Sequence, residues 1–262
     1  MRLAPAVVLT LACAPYLASA QNRDGDFQWE RRLASGQRVH ARNINGDIKV
    51  TPASSGRVEI TGTRHGSGRS AGGLTAQVTE TSDGIIVCVI RADSDDECDG
   101  KGYHHHGDDD DWGRASMNLE IRIPSGVQID ASSVSGNVDI DGAQGDVRAG
   151  SVSGDIRLER VRAATVEARS VSGEIKASIE SLTGRGALSF KTVSGDVTLE
   201  LPRSLDADLS MSSVSGQLDS DFQMTLGGRN SRRRIEARIG RGGRELDITT
   251  VSGDVRLRMN RD

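Results

Sequence analysis

The sequence predicts an all-β protein: a parallel β-helix-like solenoid with rungs of about 18–22 residues and an irregular N-terminal part that carries an acidic insertion. Three observations predict it: a Val-Ser-Gly unit recurs, apolar residues alternate with period two around each copy, and no segment has helical periodicity of any length. A unit of about 20 residues cannot bury its own apolar face. Successive units must therefore stack, adding one strand every ~4.8 Å.

A glycine marks each copy of the repeat. Six glycines follow a Val-Ser pair at spacings of 18, 19, 22, 21 and 37 residues: Gly136, Gly154, Gly173, Gly195, Gly216 and Gly253. Gly46 has the same position in an earlier copy at 39–50. We interpret these glycines as structural, because glycine permits a bend that a Cβ atom would obstruct. The interval of 37 residues predicts one degenerate extra rung around Ile235, Ala237 and Ile239.

A valine follows the first strand of each copy. Two apolar residues lie two positions apart, as Ile129 and Ala131 do, and the valine comes three positions later. This step predicts a corner, after which the valines form an inward row: Val134, Val152, Val171, Val193, Val214 and Val251. The hydroxyl residue before each valine would then form an outward row: Ser133, Ser151, Ser170, Thr192, Ser213 and Thr250. On this interpretation, aspartate at position 171 would bury an unpaired charge and unfold the stack.

The chain divides into a leader and one domain. Residues 1–20 have the features of a secretory signal peptide, with Arg2, a short apolar run and a small-residue ending before Gln21. A lipoprotein signal would use Cys13, but the leucine usual three residues upstream is missing. Residues 21–262 are predicted to form a single β-solenoid domain with an irregular insertion at about 51–126. No other apolar segment is long enough to span a membrane, so we expect an exported, periplasmic or secreted protein.

Composition and cysteine usage restrict the function. The formal net charge of −4 argues against a general nucleic-acid binder. Aromatic residues are 3% of the chain, whereas sugar sites usually stack their ligands on aromatic rings, so a carbohydrate enzyme is disfavoured. Cys88 and Cys98 remain after removal of the leader, and in an oxidising compartment we expect them to form a disulfide; two free thiols are the alternative.

An acidic loop at 93–112 is the first candidate site. It has nine acidic residues and three consecutive histidines, a composition that suits a divalent cation; the candidate ligands are Asp95, Asp99, His104, His106 and Asp109. Asp95, Glu97, Asp99 and Gly100 resemble the first half of a calcium loop. The resemblance fails at the twelfth position of the loop, which is His106 instead of glutamate. Neighbouring histidines on a strand point in opposite directions and rarely share one zinc or copper ion. The alternative is a solvated loop with no specific site, and no other cofactor is predicted.

Three further patterns have both a chemical and a structural interpretation. The residues after the repeat glycines form a row of carboxylates and amides that suits either acid–base chemistry or turns, and we favour turns: Asn137, Asp155, Glu174, Asp196, Gln217 and Asp254. An arginine cluster suits an anionic polymer, lipid head groups or an acidic partner, or else a solvated strand edge: Arg229, Arg232, Arg233, Arg234, Arg238, Arg241 and Arg244. Residues 68–72 match the sequence pattern of a hydrolase nucleophile elbow. We reject the match because that elbow joins a strand to a helix, whereas these residues lie in a predicted loop. No catalytic residue is predicted.

The repeat also carries a resemblance to a known family. "NINGDIKV" at 43–50 and the "VSGDI", "VSGEI" and "VSGDV" copies that begin at 152, 171, 193 and 251 resemble bacterial exported β-strand-repeat proteins of unknown function, described as adhesin-like and related to the toastrack envelope domains. The resemblance implies a parallel β-helix-like fold and an envelope location. It implies no reaction and no catalytic residues. This chain differs from a plain member of that family in its acidic insertion and its arginine-rich segment.

The sequence therefore favours a non-enzymatic exported β-solenoid with a structural, adhesin-like or envelope-associated interaction role, whose partner is a protein or an envelope polymer and not a nucleic acid. Two alternatives remain open. One is a polysaccharide-binding or polysaccharide-active β-helix that uses the acidic row. The other is a cation-binding envelope protein that uses the acidic loop.

Overall fold

A computed structural model describes residues 27–66, 73–92, 97–99, 102–104, 115–228, 230–231 and 233–260 of the chain. These residues form strands and turns without any helix, so none of their segments is a helix that could cross a membrane. The strands are β1 (Phe27–Arg31), β2 (Arg38–Asn45), β3 (Ile48–Pro52), β4 (Val58–His65), β5 (Leu74–Thr81), β6 (Gly84–Arg91), β7 (Glu97–Asp99), β8 (Gly102–His104), β9 (Ser116–Ile123), β10 (Gln128–Ser135), β11 (Val138–Asp141), β12 (Val147–Ser153), β13 (Ile156–Ala163), β14 (Val166–Ser172), β15 (Ile175–Leu182), β16 (Leu188–Ser194), β17 (Val197–Leu201), β18 (Ala207–Ser215), β19 (Leu218–Ser220), β20 (Met224–Leu226), β21 (Arg234–Ile239), β22 (Arg244–Ser252) and β23 (Val255–Met259).

Two long sheets enclose one apolar core, which confirms the predicted all-β solenoid. Sheet 1 has the order β1-β4-β9-β3-β11-β13-β15-β17-β23-β19, and sheet 2 has the order β5-β6-β2-β10-β12-β14-β16-β22-β18-β21-β20. Each repeat supplies one strand to sheet 2, turns at its glycine, and supplies the next strand to sheet 1. Strands of successive repeats pair in parallel, so equivalent residues lie next to one another across each sheet.

The third repeat along the stack illustrates the burial pattern. In β10, Ile129, Ala131 and Ser133 point into the core, and in β11, Val138 and Ile140 do so after the turn. This is the alternation expected of strands with one buried face. Eight such rungs stack in the described part of the chain, formed by the strand pairs β6/β9, β2/β3, β10/β11, β12/β13, β14/β15, β16/β17, β22/β23 and β18/β19.

The last repeats do not stack in chain order. β22 and β23, the final strands of the sequence, insert between β16/β17 and β18/β19, and they pair in parallel with both neighbours. The prediction of a degenerate extra rung around Ile235, Ala237 and Ile239 is wrong. These residues lie on β21, which runs antiparallel to β18 and caps the end of sheet 2 together with β20. An antiparallel cap leaves no parallel edge on which another rung would add.

The stretch from 51 to 126, predicted to interrupt the repeat, contributes a rung of its own. β6 pairs in parallel with β2, and β9 pairs in parallel with β3, so that Ile85 lies beside Val39 and Leu119 beside Ile48. Antiparallel strands β5, β4 and β1 then cover this end of the stack. The acidic segment joins β6 to β9, at the place where the other rungs have their short glycine turn.

The prediction that the valines point inward is wrong, because no corner precedes them. β10 continues without a break through Ser135, so alternation places Ala131 and Ser133 inside and Val134 outside. The same holds in the other repeats, where Val152, Val171, Val193, Val214 and Val251 are 43–57% exposed. The predicted outward hydroxyls are buried instead: Ser133, Ser151, Ser170, Thr192, Ser213 and Thr250.

Five of the six buried hydroxyls form hydrogen bonds inside the stack, and only that of Ser213 has no partner among the described residues. The Oγ atom of Ser133 donates to the carbonyl oxygen of Gly46 on the neighbouring rung at 2.9 Å, and Ser151 donates to Gly136 in the same way at 2.9 Å. Ser170, Thr192 and Thr250 repeat the contact at 3.3–3.4 Å. A buried polar group with a partner avoids the penalty of an unpaired one.

The repeat glycines are required by the close approach of successive rungs. A Cβ atom on Gly154 would lie 2.2 Å from the carbonyl oxygen of Gly136, which is backbone and cannot move aside. Gly173, Gly195 and Gly253 meet the same obstacle and also have φ angles of 151–157°, in a region that L-residues rarely adopt. These contacts explain why glycine recurs at this turn in every repeat.

Candidate interaction surface

The outward valines form one continuous apolar row across sheet 2. We call it the valine ridge; in spatial order its members are Ile44, Val134, Val152, Val171, Val193, Val251 and Val214, on seven neighbouring strands. At ~4.8 Å per strand the ridge is about 29 Å long. Sequence reasoning missed this surface because it assigned the valines to the core. The three-residue step from Ala131 to Val134 was equally compatible with an uninterrupted strand, which is what β10 forms and which places Val134 outside.

A second outward row runs beside the ridge, two residues earlier on each strand. In the same order it consists of Arg42, Ser132, Gly150, Arg169, Lys191, Thr249 and Ser212. Because Gly150 has no side chain, a groove of about 340 Å³ opens at this position. Ile44, Val134 and Val152 line the groove, and Arg42 and Arg169 lie at its rim. The surface is thus apolar along the ridge and basic beside it.

The arginines beside the groove are held by carboxylates on the same face. Arg42 forms an ion pair with Asp130 at 2.8 Å, and Glu167 pairs with both Arg169 and Arg148. Burial would raise the pKa of Asp130, but hydrogen bonds from His40 and Arg42 outweigh burial, so its pKa lies well below the usual value. Because the single carboxylate of Glu167 pairs with both Arg148 and Arg169, one positive charge next to the groove is not neutralised.

The ridge ends on one side at the disulfide between Cys88 and Cys98, whose Cα atoms are 6.2 Å apart. Ile90 continues the row of Ile44 onto β6, but there Ile86, Ile90 and the disulfide pack together in a small separate apolar cluster. The predicted disulfide therefore fixes the start of the acidic insertion on the outer face of sheet 2. At the other end, the backbone N–H of Ser213 donates to the carbonyl oxygen of Arg233, which lies just before β21.

The candidate metal ligands in the insertion stay a prediction. Asp95, His106 and Asp109 lie outside the described residues. His104 and Asp99 belong to the antiparallel pair of β7 and β8, where they lie opposite Glu97 and Gly102. Among the side chains that the structure describes, no group of three or more histidines, cysteines or carboxylates is close enough to hold an ion.

The acidic row after the repeat glycines has a structural function. The Oδ1 atom of Asp155 accepts a hydrogen bond from the backbone N–H of Glu174 on the next rung at 2.8 Å, and Asp196 accepts from Asp254 N–H at 2.8 Å. Asn137 and Asp47 make equivalent contacts. Hydrogen bonds with Arg256 and with the Asp254 backbone lower the pKa of Asp196, which does not suit a proton donor at neutral pH. The turn interpretation agrees with this geometry.

A groove of about 780 Å³ at the opposite corner of the stack contains two carboxylates, Glu180 and Asp206. A hydrogen bond from Arg162 lowers the pKa of Glu180. Hydrogen bonds from the backbone and side chain of Arg241 lower the pKa of Asp206. A glycosidase needs one carboxyl group with a raised pKa as its acid. This pair therefore does not form that constellation.

The arginine cluster divides into three parts. Arg238 and Arg241 form ion pairs with Asp208 and Asp206. Arg244, predicted to lie on a solvated edge, is buried, because its guanidinium fills a loop and donates to backbone carbonyl oxygens of Ala164 at 2.7 Å, of Gly184 at 2.6 Å, and of Gly186.

Arg233 and Arg234 are exposed, as Arg238 and Arg241 are, but they differ in that the described part of the chain provides no carboxylate partner for either. The described residues do not include Arg229, Arg232 or the sequence match to a nucleophile elbow at 68–72. Among the described members of the cluster, the positive charge without a carboxylate partner therefore lies beside the Val214 end of the ridge.

Comparisons with known proteins find two similar crystal structures and one matching family. A crystal structure of a proposed cell adhesion protein from Clostridium sporogenes matches with a TM-score of 0.47 and 8% identity, covering 89% of this chain and 99% of that chain. A crystal structure of a proposed adhesin from Bacteroides fragilis matches with a TM-score of 0.32 and 11% identity, covering 90% and 97%. No curated protein matches the sequence. The profile of the Toastrack DUF4097 family matches residues 126–258, from the turn before β10 into β23. Because this match covers half of the chain and all the parallel repeats after the insertion, the chain belongs to the Toastrack DUF4097 family.

Proposed function

We propose that this protein is an exported, non-enzymatic binding protein, and that the outer face of sheet 2 is the surface through which it performs an adhesin-like or envelope-associated function. One observation carries the proposal. Six of the seven large hydrophobic side chains that are exposed in the described part of the chain belong to the valine ridge. Scattered exposed hydrophobic residues need no explanation, but a continuous apolar row with a polar border is typical of an interaction site.

The chemistry of the rest of the molecule supports a binding function over catalysis. The carboxylates of the turn row accept backbone hydrogen bonds, and those of the large groove pair with arginines. The ridge supplies a long apolar row with a groove beside it, which suits an extended partner such as a protein segment or an envelope polymer. Export rests on the predicted leader; N-terminal sequencing of the secreted protein should begin at Gln21, and a retained Met1 would contradict it.

Position-specific photocrosslinking in the producing cell tests the proposal. A photoreactive phenylalanine analogue at Val152, on the ridge, should yield adducts of higher mass. The matched control is Ser178, an outward residue on β15 in sheet 1, where adducts should be absent or much weaker. Equal adduct patterns at the two positions, or none at Val152, would contradict a binding function of the ridge.

A further inference from the structure

We infer that the open end of sheet 1 binds an extended segment of another protein, which adds as a strand beside β19 and completes the hydrogen bonds of the last glycine turn. β21 and β20 cap sheet 2 at this end of the stack, whereas β19 is the last strand of sheet 1 and pairs, among the described strands, with β23 alone. The inference goes beyond the proposed function, because it uses this edge and not the valine ridge.

The last turn has two backbone N–H groups without an acceptor. In the six other turns of the stack, the N–H of the repeat glycine donates to a serine carbonyl oxygen on the next rung at 2.9–3.2 Å, as Gly154 does to Ser172. The residue two positions after each glycine donates to the next rung in the same way, at 2.9–3.0 Å. The equivalent donors of the last rung are Gly216 and Leu218, and no described residue accepts from either. The group that fits both donors is therefore the edge of a strand, with carbonyl oxygens two residues apart.

A cavity of about 300 Å³ opens beside these donors at the end of the core. Met211, Leu218 and Ile235 give it an apolar lining, and Ser213 and Arg233 also line it. Ser213 is 4% exposed, and its Oγ atom is buried without a hydrogen-bond partner in the described residues. An unpaired buried hydroxyl costs free energy that a polar group of a ligand would recover. The cavity therefore suits an apolar side chain next to a polar backbone.

The register of the other rungs predicts the sequence of the bound segment. The residue beside Gly216 must be glycine, because a Cβ atom there would meet the Gly216 carbonyl oxygen, as it would between the repeat glycines of the other rungs. The next residue lies beside Gln217, which lines the same cavity as Arg233. Arg233 has no carboxylate partner among the described residues, so an acidic residue is complementary at this position. The third residue lies beside Leu218 and is apolar.

The order glycine, acid, apolar residue also occurs within this chain, but a folded second copy does not offer it. In the described stack, each segment of this kind, such as 195–197, is already paired with a strand on both sides. The occupant is therefore a segment of another protein that is not itself part of a sheet. Because β19 has three residues, the contact area is small, and we expect weak and rapidly exchanging binding.

Nuclear magnetic resonance of the isotope-labelled mature protein tests the inference with a synthetic peptide. The probe has the sequence of residues 192–200, TVSGDVTLE, which contains the predicted order. The amide signals of Gly216 and Leu218 should shift saturably as the peptide is added, and their hydrogen exchange should slow at least tenfold at saturation. The amide of Gly154, already bonded to the next rung, should not change. The same peptide with Gly195→Ala is the control and should bind at least tenfold more weakly.

Two protein variants test the charge. Arg233→Glu should weaken binding of the peptide at least fivefold, whereas Arg185→Glu, at an exposed arginine beside the groove at the opposite corner, should not change it. The dispersion of the other amide signals verifies that both variants are folded. Absence of shifts at Gly216 and Leu218, or equal affinity for the two peptides, overturns the inference. If the protein alone is a dimer in sedimentation and already protects these two amides, a second copy covers the edge, and the inference is likewise overturned.

Discussion

Substitution of Val171 by aspartate tests which face of sheet 2 is buried, because the sequence pattern predicts unfolding and the structure does not. Val171 is 49% exposed, so its side chain buries only about half of its surface, and the substitution can remove only that half. Full burial of a valine is worth about 1.5–2 kcal/mol, and the lower strand propensity of aspartate adds up to about 1 kcal/mol. The expected loss in the free energy of unfolding is therefore about 1–2 kcal/mol.

Ala168, on the same strand, is the matched comparison. Its side chain is fully buried, and aspartate there would place an unpaired carboxyl group in the core. We expect a loss of more than about 3 kcal/mol or failure to fold. Urea titrations followed by tryptophan fluorescence, to which Trp29 contributes from its place against the core, measure both variants. Equal losses for the two variants would refute the assignment of faces.

Three further predictions follow from named contacts. Gly154→Ala should lower the free energy of unfolding by about 2–4 kcal/mol, because its Cβ would lie 2.2 Å from a backbone oxygen, whereas Gly150→Ala, whose nearest atom is a side-chain carbon at 3.4 Å, should be neutral or stabilising by about 0.5 kcal/mol; thermal unfolding of both separates steric contact from glycine loss in general. The depressed pKa of Asp130 stabilises the fold above about pH 4, the unfolded value, and this contribution is lost as pH falls below it. Asp130→Asn should therefore reduce stability at pH 7 and flatten its dependence on pH between about 2 and 5; an unchanged pH profile would contradict the ion pair. If the acidic insertion binds a cation, calorimetry with zinc or calcium should give a saturable heat that disappears in the double variant His104→Ala/His106→Ala, and the absence of heat would leave a solvated loop.

The features that could be predicted from the sequence are those that depend on one repeat and its immediate neighbours. The glycine turn, the strands on either side of it and the stacking follow from periodicity and from the inability of a single unit to bury its apolar face. The aspartate after the glycine was predicted as a turn residue. The structure adds the reason that it recurs, which is a hydrogen bond that the Asp155 carboxylate accepts from the backbone N–H of Glu174 on the next rung.

The orientation of Ser133 and Val134 could not be decided by composition. A three-residue step from Ala131 to Val134 is compatible with a corner or with an uninterrupted strand, and the expectation that valine is buried and serine exposed favoured the corner. The uninterrupted strand is correct because the carbonyl oxygen of Gly46, from another rung, satisfies the hydroxyl. That partner is known only once the stacking is known.

The position of the last repeat had no signal in the sequence. β22 has the same alternation as β16 and β18 and pairs in register with both, so the repeats alone do not distinguish insertion between them from addition at the end. The antiparallel pairing of β21 with β18 excludes addition at that edge. The burial of Arg244 results from the position of β22 between β16 and β18. β22 then begins beside the loop whose backbone carbonyl groups accept hydrogen bonds from Arg244.

The composition of the ridge itself argues for selection on binding. A strand position that faces solvent beside a turn gains strand propensity from any β-branched residue, and threonine would supply it with a polar surface. The chain has threonine or serine at Ser132, Thr249 and Ser212 in the adjacent outward row, so such residues fit on this face. Valine nevertheless occupies six consecutive ridge positions, where its methyl groups contribute little to the core and expose apolar surface to water. Folding does not require this choice, and under the proposed binding function a partner that covers the ridge explains it.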